Sequence, residues 1–340
     1  MSFMATSKIL LTFFLFWGII TNAANAQSYD AYLCASRDVN FIIGANQAVA
    51  NGVYKRDGNG DWQHLGINDP YLIAVSFDPR DDNVFYTATL NGVLRTLDGG
   101  HSWRIMTSWD MTQPKDLRVD PNEANTIYVA LPDGVAVSPD QGMTWIRKDT
   151  GLPDRGKYAQ TIEVDRTQSG RVLVGCETGI YLTEDGADSW VRVMETVDTV
   201  TDIQQSPHDS SLWLAVTQSA GAWMSSDEGV NWINLPDVPS GATLYNVTFD
   251  PTNSQRMAIG SWTYGVYTSE DGGTSWVSRN LGLPASHHVW RVGVDPDTGR
   301  LYASVIESFL FFSDDFGHNW QNGGLDGSQI SAFVFVPKSS

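Results

Sequence analysis

One eight-residue pattern, repeated seven times at nearly constant spacing, limits this chain to very few folds. The copies read KRDGNGDW, TLDGGHSW, SPDQGMTW, TEDGADSW, SSDEGVNW, SEDGGTSW and SDDFGHNW. Their tryptophans are Trp62, Trp103, Trp145, Trp190, Trp232, Trp276 and Trp320, separated by 41, 42, 45, 42, 44 and 44 residues. A period of this length marks a solenoid or a propeller, whose repeats bury their apolar faces only against one another. The acid at the third position occurs in every copy, as Asp57, Asp98, Asp140, Asp185, Asp227, Asp271 and Asp315. An Asp in a turn accepts backbone N–H bonds. Glycine supplies positive φ at low steric cost. Tryptophan fills the space between sheets and keeps an N–H for a partner. A motif made seven times is therefore read as structural rather than catalytic. The first copy has Lys55 where the others have Ser or Thr, and the fourth has Ala187 where glycine is usual. Those two turns are expected to be the loosest.

Between these motifs the chain is strand-like. In LRVDPNEANTIYVALPDGVAVSPDQGMTW, Leu117 and Val119 alternate and Asp120-Pro121 begins a turn. Ile127 to Ala130 form a second strand, and Gly134 precedes a third. Related turns occur at Asp78-Pro79, Asp250-Pro251 and Asp295-Pro296. Short β-branched and aromatic runs broken by such turns are strands. Four strands per repeat and seven repeats predict an all-β chain, a seven-bladed β-propeller of four-stranded blades. The C-terminal SAFVFVPKSS reads as the first strand of a blade, whereas DVNFIIGANQAVANGVYKRDGNGDW supplies strands two to four without a first. The C-terminal strand is expected to pair with the N-terminal blade and so remove two exposed sheet edges. Residues 40–340 are expected to form this single domain, with 27–39 as a lead-in.

Residues 1–26 read as a secretory signal. Lys8 precedes the apolar run from Ile9 to Ile20, and Ala24-Asn25-Ala26 fits a cleavage site. A secreted or periplasmic monomer with no integral membrane segment after cleavage is expected. The net charge is −18, and becomes −19 without Lys8. So acidic a chain argues against nucleic acid or an anionic membrane as partner. The two cysteines, Cys34 and Cys176, form no disulfide framework and no C-x-x-C metal motif, and whether they pair is left open.

The pattern S/T-x-D-x-G-x-x-W resembles the Asp-box, or BNR repeat, over essentially residues 40–340. Asp-box propellers include sialidases, xyloglucanases, sortilin-type receptors and photosystem II assembly factors. The resemblance implies that the boxes lie on third-to-fourth strand turns, on the face away from the ligand site. Specific features of these relatives are missing. There is no Arg-Ile-Pro motif of the sialidase kind, and Arg155 and Arg291 are few arginines for a carboxylate clamp. Xyloglucanases use two propellers facing one another across a cleft, and one is present here. The arginine-rich patch of the photosystem assembly factors is absent.

Two features mark a candidate site. Aligning the repeats on the Asp-Pro turn picks out one innermost-strand position, occupied by Ala74, Asp116, Thr161, Asp202, Asn246, Arg291 and Ala332. Its polar side chains are expected to ring the central channel. The second feature is aromatic. GSWTYGVY places Trp262 and Tyr264 on a second-to-third strand loop, and LPASHHVWRVGVDP places His287, His288, Trp290 and Arg291 on the next connection. Trp262 aligns in this reading with Thr89, Leu131, Cys176, Gln218 and Ile306, so the repeat does not demand a tryptophan there. Trp109, Arg155, Lys157 and Tyr158 lie on other connections of the same face.

Exposed aromatics beside hydrogen-bonding groups suit sugar stacking or a protein contact. His287 and His288 are adjacent, point to opposite faces of a strand, and are not read as a metal pair. No metal or other cofactor is indicated. The expected function is an exported, non-catalytic propeller that binds a glycan or a protein through Trp262, Tyr264, His287, His288, Trp290 and Arg291. The alternatives are a carbohydrate-active enzyme, a glycoside hydrolase or lyase using Asp116, Asp202 or His287, and an assembly factor for an envelope or membrane complex.

Overall fold

The computed structural model describes residues 27–37 and 50–338. Seven four-stranded antiparallel sheets form a ring, a seven-bladed β-propeller. Blades 2 to 7 follow chain order from the innermost strand outward, and their innermost strands begin at Ala74, Asp116, Ala159, Val200, Leu244 and Val289. Blade 1 is composite. Its innermost strand, Gln329–Pro337, pairs with Tyr29–Ser36, which is followed by Gly52–Arg56 and Trp62–Leu65. The closing register runs from Tyr29↔Pro337 to Ser36↔Gln329.

Closure by the C-terminal strand is thus as expected, but its neighbour comes from earlier in the chain. The sequence places the second strand after residue 40, and residues 38–49 lie outside those described. Tyr29–Ser36 occupies that position instead, within the segment read as a lead-in. Five consecutive residues of this strand, Ala31 to Ala35, are buried. A strand covered on both faces shows no alternation, and YDAYLCAS carries no β-branched residue. It therefore leaves little trace in the sequence.

The core lies between blades. Central strands such as Ile127–Leu131 and Val172–Cys176 are buried at every residue. Cys34 and Cys176 are buried free thiols in different blades, and burial pushes each up to about 12. The outermost strands are short, two residues in five of the blades, which leaves little edge for unwanted pairing.

The Asp-boxes close the third-to-fourth strand turns. In blade 2 the Thr96 hydroxyl donates to Asp98 Oδ1 at 2.8 Å and accepts the Gly100 N–H at 2.9 Å. Asp98 Oδ1 also accepts the Ser102 N–H at 2.8 Å, and Oδ2 accepts the Ser102 hydroxyl at 2.6 Å. These bonds to the ionised form hold Asp98 down at about 2. The same hydroxyl-to-acid bond recurs at Asp140, Asp185, Asp227, Asp271 and Asp315. The fourth box is not loose: Ala187 adopts φ 72° and donates its N–H to Thr183 Oγ1 at 3.0 Å. The first box differs, because Lys55 has no hydroxyl to offer. Asp57 Oδ1 instead accepts the N–H groups of Asn59 and Asp61.

Around the channel, each of the seven blade interfaces carries a bond from a side chain to main chain. The Ser331 hydroxyl donates to Leu72 O, and Ser76 Oγ accepts the Val119 N–H. Asp116 Oδ2 accepts the Ile162 N–H, and Gln205 Oε1 accepts that of Arg166. Asp202 Oδ2 accepts the Val247 N–H at 3.0 Å. Asn246 both accepts from Val292 N and donates to Val292 O, each at 2.9 Å. Arg291 Nε donates to Ser331 O at 2.8 Å and closes the ring onto blade 1. Each bond contributes on the order of 1 kcal/mol, and together they fix blade order and spacing.

Candidate functional site

The aligned innermost position does ring the channel. All seven of its residues, from Ala74 to Ala332, line a cavity of about 500 Å³. Four of them, Asp116, Asp202, Asn246 and Arg291, carry interface bonds just described. Asp116 has both oxygens engaged: Oδ2 by Thr161 and Ile162, and Oδ1 by the Leu117 N–H and by Arg118 Nη1 at 2.6 Å. Arg118 reaches on to Glu163 of the next blade at 2.7 Å. Burial opposes the charge of Arg118, but Asp116 and Glu163 hold it above the ordinary arginine value. Burial likewise raises Glu163, against the pull of Arg118.

Asp202 is set differently. Its oxygens accept the Val247 N–H and the Gln204 amide, and no arginine or lysine lies within 4.0 Å among the described residues. Burial pushes it up to about 6, with Arg291 and the Val247 N–H acting in the opposite direction. Burial lowers Arg291 in turn, against the attraction of Asp202 and Asp116.

Above the channel, on the face away from the Asp-boxes, a second cavity of about 390 Å³ spans blades 4 to 7. A repeated backbone irregularity builds it. The register shifts between Ala159 and Thr161, Val200 and Asp202, Leu244 and Asn246, and Val289 and Arg291. Each shift leaves one extra residue at the entry of an innermost strand: Gln160, Thr201, Tyr245 and Trp290. A bulge re-aims its side chain out of the regular alternation, and all four of these residues line the mouth cavity. Tyr158, Thr199 and Thr243, two residues earlier, line it as well, as do Glu177 and Gln218 from the second-to-third strand loops.

Of the residues singled out from sequence, Trp290, Arg291 and Tyr158 line this mouth. Trp290 meets Tyr245 at 4.2 Å between ring centroids, and Tyr245 meets Trp262 edge-on at 5.9 Å. Trp262 is stacked by His288 at 4.3 Å. The four rings form a continuous row. Trp262 and His288 stand behind the wall rather than in it. Tyr264 and His287 also lie outside the lining. The Tyr264 carbonyl accepts the Asn280 side chain, and His287 Nδ1 pairs with Pro284 O at 3.1 Å. Gly265 makes room there, since a Cβ would come within 2.5 Å of His287 Cδ2 and its φ is +73°. The strand register also shifts the sequence alignment. Ser261 stands opposite Leu244 as Cys176 stands opposite Ala159, so Trp262 corresponds to Glu177 and not to Cys176.

Tyr245, Gln160, Thr201 and the Arg118–Glu163 pair were not anticipated. The bulge residues immediately precede the aligned ring position, and that adjacency is the signal available for them. Among the described residues, no group of three His, Cys, Asp or Glu side chains is placed to hold a metal ion. No described helix is long and apolar enough to cross a membrane.

A ring of seven Asp-box blades with its cavity on the opposite face is the architecture of a BNR-repeat propeller. Residues 54–227, about half of the chain, match the family described as Photosynthesis system II assembly factor YCF48, and the chain belongs to that family. A xyloglucanase from Paenibacillus sp is 26% identical over 196 residues, covering 54% of this chain and 18% of the relative. The match thus spans less than a fifth of that enzyme. The GH74 xyloglucanase of Xanthomonas campestris shares the fold with a TM-score of 0.69 at 18% identity, over 88% of this chain and 53% of that one. A structure of YCF48 bound to D1 peptide aligns with a TM-score of 0.56 at 18% identity, over 74% of this chain and 82% of that one.

Proposed function

We propose that this protein is an exported, non-catalytic binding propeller that takes a glycan in the mouth cavity of blades 4 to 7. The observation that carries the reading is the composition of that wall. Tyr245 and Trp290 offer aromatic surface, while Gln160, Gln218, Thr199, Thr201 and Thr243 offer neutral donors and acceptors suited to hydroxyls. The bonding of one channel acid counts against the alternative, a catalytic pair. Asp116 is committed to Arg118 and to two groups of blade 4. The xyloglucanase relatives support a saccharide as ligand class. The apolar run at residues 9–20 and the site at 24–26 support export to the periplasm or beyond.

A second reading is a chaperone-like role in which the same mouth holds a protein segment. The family match and the peptide-bound YCF48 neighbour favour it. A glycan array and a peptide array, probed with the same protein, separate the two. Retention of intact glycan supports the first, selective peptide capture supports the second, and cleavage of a bound glycan contradicts the non-catalytic assignment.

A further inference from the structure

Arg291 is an arginine without a carboxylate. It sits where the mouth opens into the channel and lines both cavities. Nε donates to Ser331 O at 2.8 Å, and Nη1 donates to Trp290 O at 3.0 Å. Three blades away around the ring, Arg118 has two carboxylates at 2.6 and 2.7 Å. Among the described residues, none lies within 4.0 Å of Arg291. Lys115 is in the same condition. It lines the channel beneath the mouth, its Nζ stands 5.4 Å over the Tyr158 ring, and no described carboxylate is within 4.0 Å of it. Tyr158 and Gln160 belong to the mouth wall, so Lys115 approaches from the blade 3 side as Arg291 does from blade 7. In a chain of net charge −18, two cations with no directly paired carboxylate, set against Glu177 in the mouth and Asp116 and Asp202 in the channel, offset the general field there.

We infer that the mouth selects a carboxylated sugar, a uronic acid residue of an acidic glycan, with the carboxylate directed to Arg291. This rests on the glycan reading above and adds the ligand's charge. The wall supplies each part of the match. A pyranose ring lies against Tyr245 and Trp290, its hydroxyls meet the threonine and glutamine side chains, and its carboxylate meets a guanidinium already oriented by backbone carbonyls. An arginine fixed in this way loses little side-chain entropy on pairing, and Nη2, which no hydrogen bond to a described residue engages, is left to donate to the carboxylate. Lys115 adds attraction from the other side. Asp202 and Asp116, which attract Arg291, and Glu177 in the mouth lining set how strongly anions are favoured.

The test measures binding of the full propeller to oligogalacturonate, oligoglucuronate and oligomannuronate, each beside its C6-reduced neutral counterpart, by calorimetry at low and moderate salt. At least one acid is expected to bind about tenfold more tightly than its reduced form, with the preference shrinking as salt rises. Arg291→Gln is expected to abolish that preference. Because Arg291 also ties blade 7 to blade 1, Lys115→Gln serves as the second variant and is expected to lower the ratio of acid to neutral affinity. Equal affinity for an acid and its reduced form overturns the carboxylate inference and leaves the glycan reading standing. Failure of every sugar overturns both. Capture of free-acid peptides over their amides, with no uronate bound, reassigns the carboxylate to a peptide and overturns the sugar.

Discussion

The imidazole of His288 lies nearly flat on the indole of Trp262, with ring centroids 4.3 Å apart and planes inclined by 15°. His288 Nδ1 also hydrogen-bonds the Trp262 carbonyl at 2.7 Å. One face of the most conspicuous aromatic in the sequence is therefore already occupied, and Tyr245 takes a second side of it. Trp262 supports the binding wall, whereas Trp290 forms it.

Truncation of the two tryptophans should separate these roles. Trp290→Ala is expected to weaken ligand binding by about 1–2 kcal/mol, roughly 5- to 30-fold. Trp262→Ala is expected to weaken it less, through loosening of Tyr245. Titration of both variants with any ligand retained by the wild type checks the order.

The two channel acids should respond in opposite ways to neutralisation. Asp116→Asn removes one of the two carboxylates that hold Arg118 and is expected to lower stability by about 2–3 kcal/mol. Asp202 is raised to about 6 by burial, above the ordinary Asp value of about 4. The folded state therefore holds a proton that the unfolded state has lost, and the contribution of this group to stability falls as pH rises from about 4 to about 6. Asp202→Asn is expected to erase that slope and to leave stability at pH 7.5 unchanged or slightly higher. Denaturant melts of both variants across this pH range provide the measurement.

Closure of the ring should depend on its last strand. Removal of residues 329–340 leaves the Tyr29–Ser36 edge unpaired and takes away the Ser331 carbonyl that accepts from Arg291. An exposed edge of eight residues is a template for association. Light scattering is expected to show aggregation of the truncated chain at concentrations where the full chain is monodisperse.

The same seam has a steric constraint. Gly293 lies on the innermost strand of blade 7, and a Cβ there would fall 2.9 Å from Cβ of Phe333. Gly293→Ala is expected to cost about 1–3 kcal/mol by overpacking. Thermal denaturation against the wild type checks it.

The fold was legible because each blade repeats its own punctuation. Asp, Gly and Trp mark one turn, and the Asp-Pro pairs mark another. The strand Tyr29–Ser36 escaped notice because burial on both faces removes the alternation by which strands are recognised. The ring position was legible by alignment, but not its purpose. A sequence shows that Asp116, Asp202 and Asn246 are polar, and only the neighbouring blade shows that Ile162, Val247 and Val292 offer them N–H groups. The mouth was half legible. Arg291 is legible from the repeat alignment, and Trp290 and Tyr158 from the blade connections. Tyr245, Gln160 and Thr201 were missed because a bulge is a register event between two strands and carries no local residue signature.

The central claim is that ligands enter at the mouth of blades 4 to 7. The most direct test is one array experiment on three proteins: the wild type, Tyr245→Ala/Trp290→Ala, and a control with Met143→Ala in the Asp-box turn of blade 3. Circular dichroism and melting confirm that all three are folded. Loss of the wild-type hits in the double variant, with retention in the control, is the predicted result. Hits that persist unchanged in the double variant would place the binding surface elsewhere on the propeller and contradict the account.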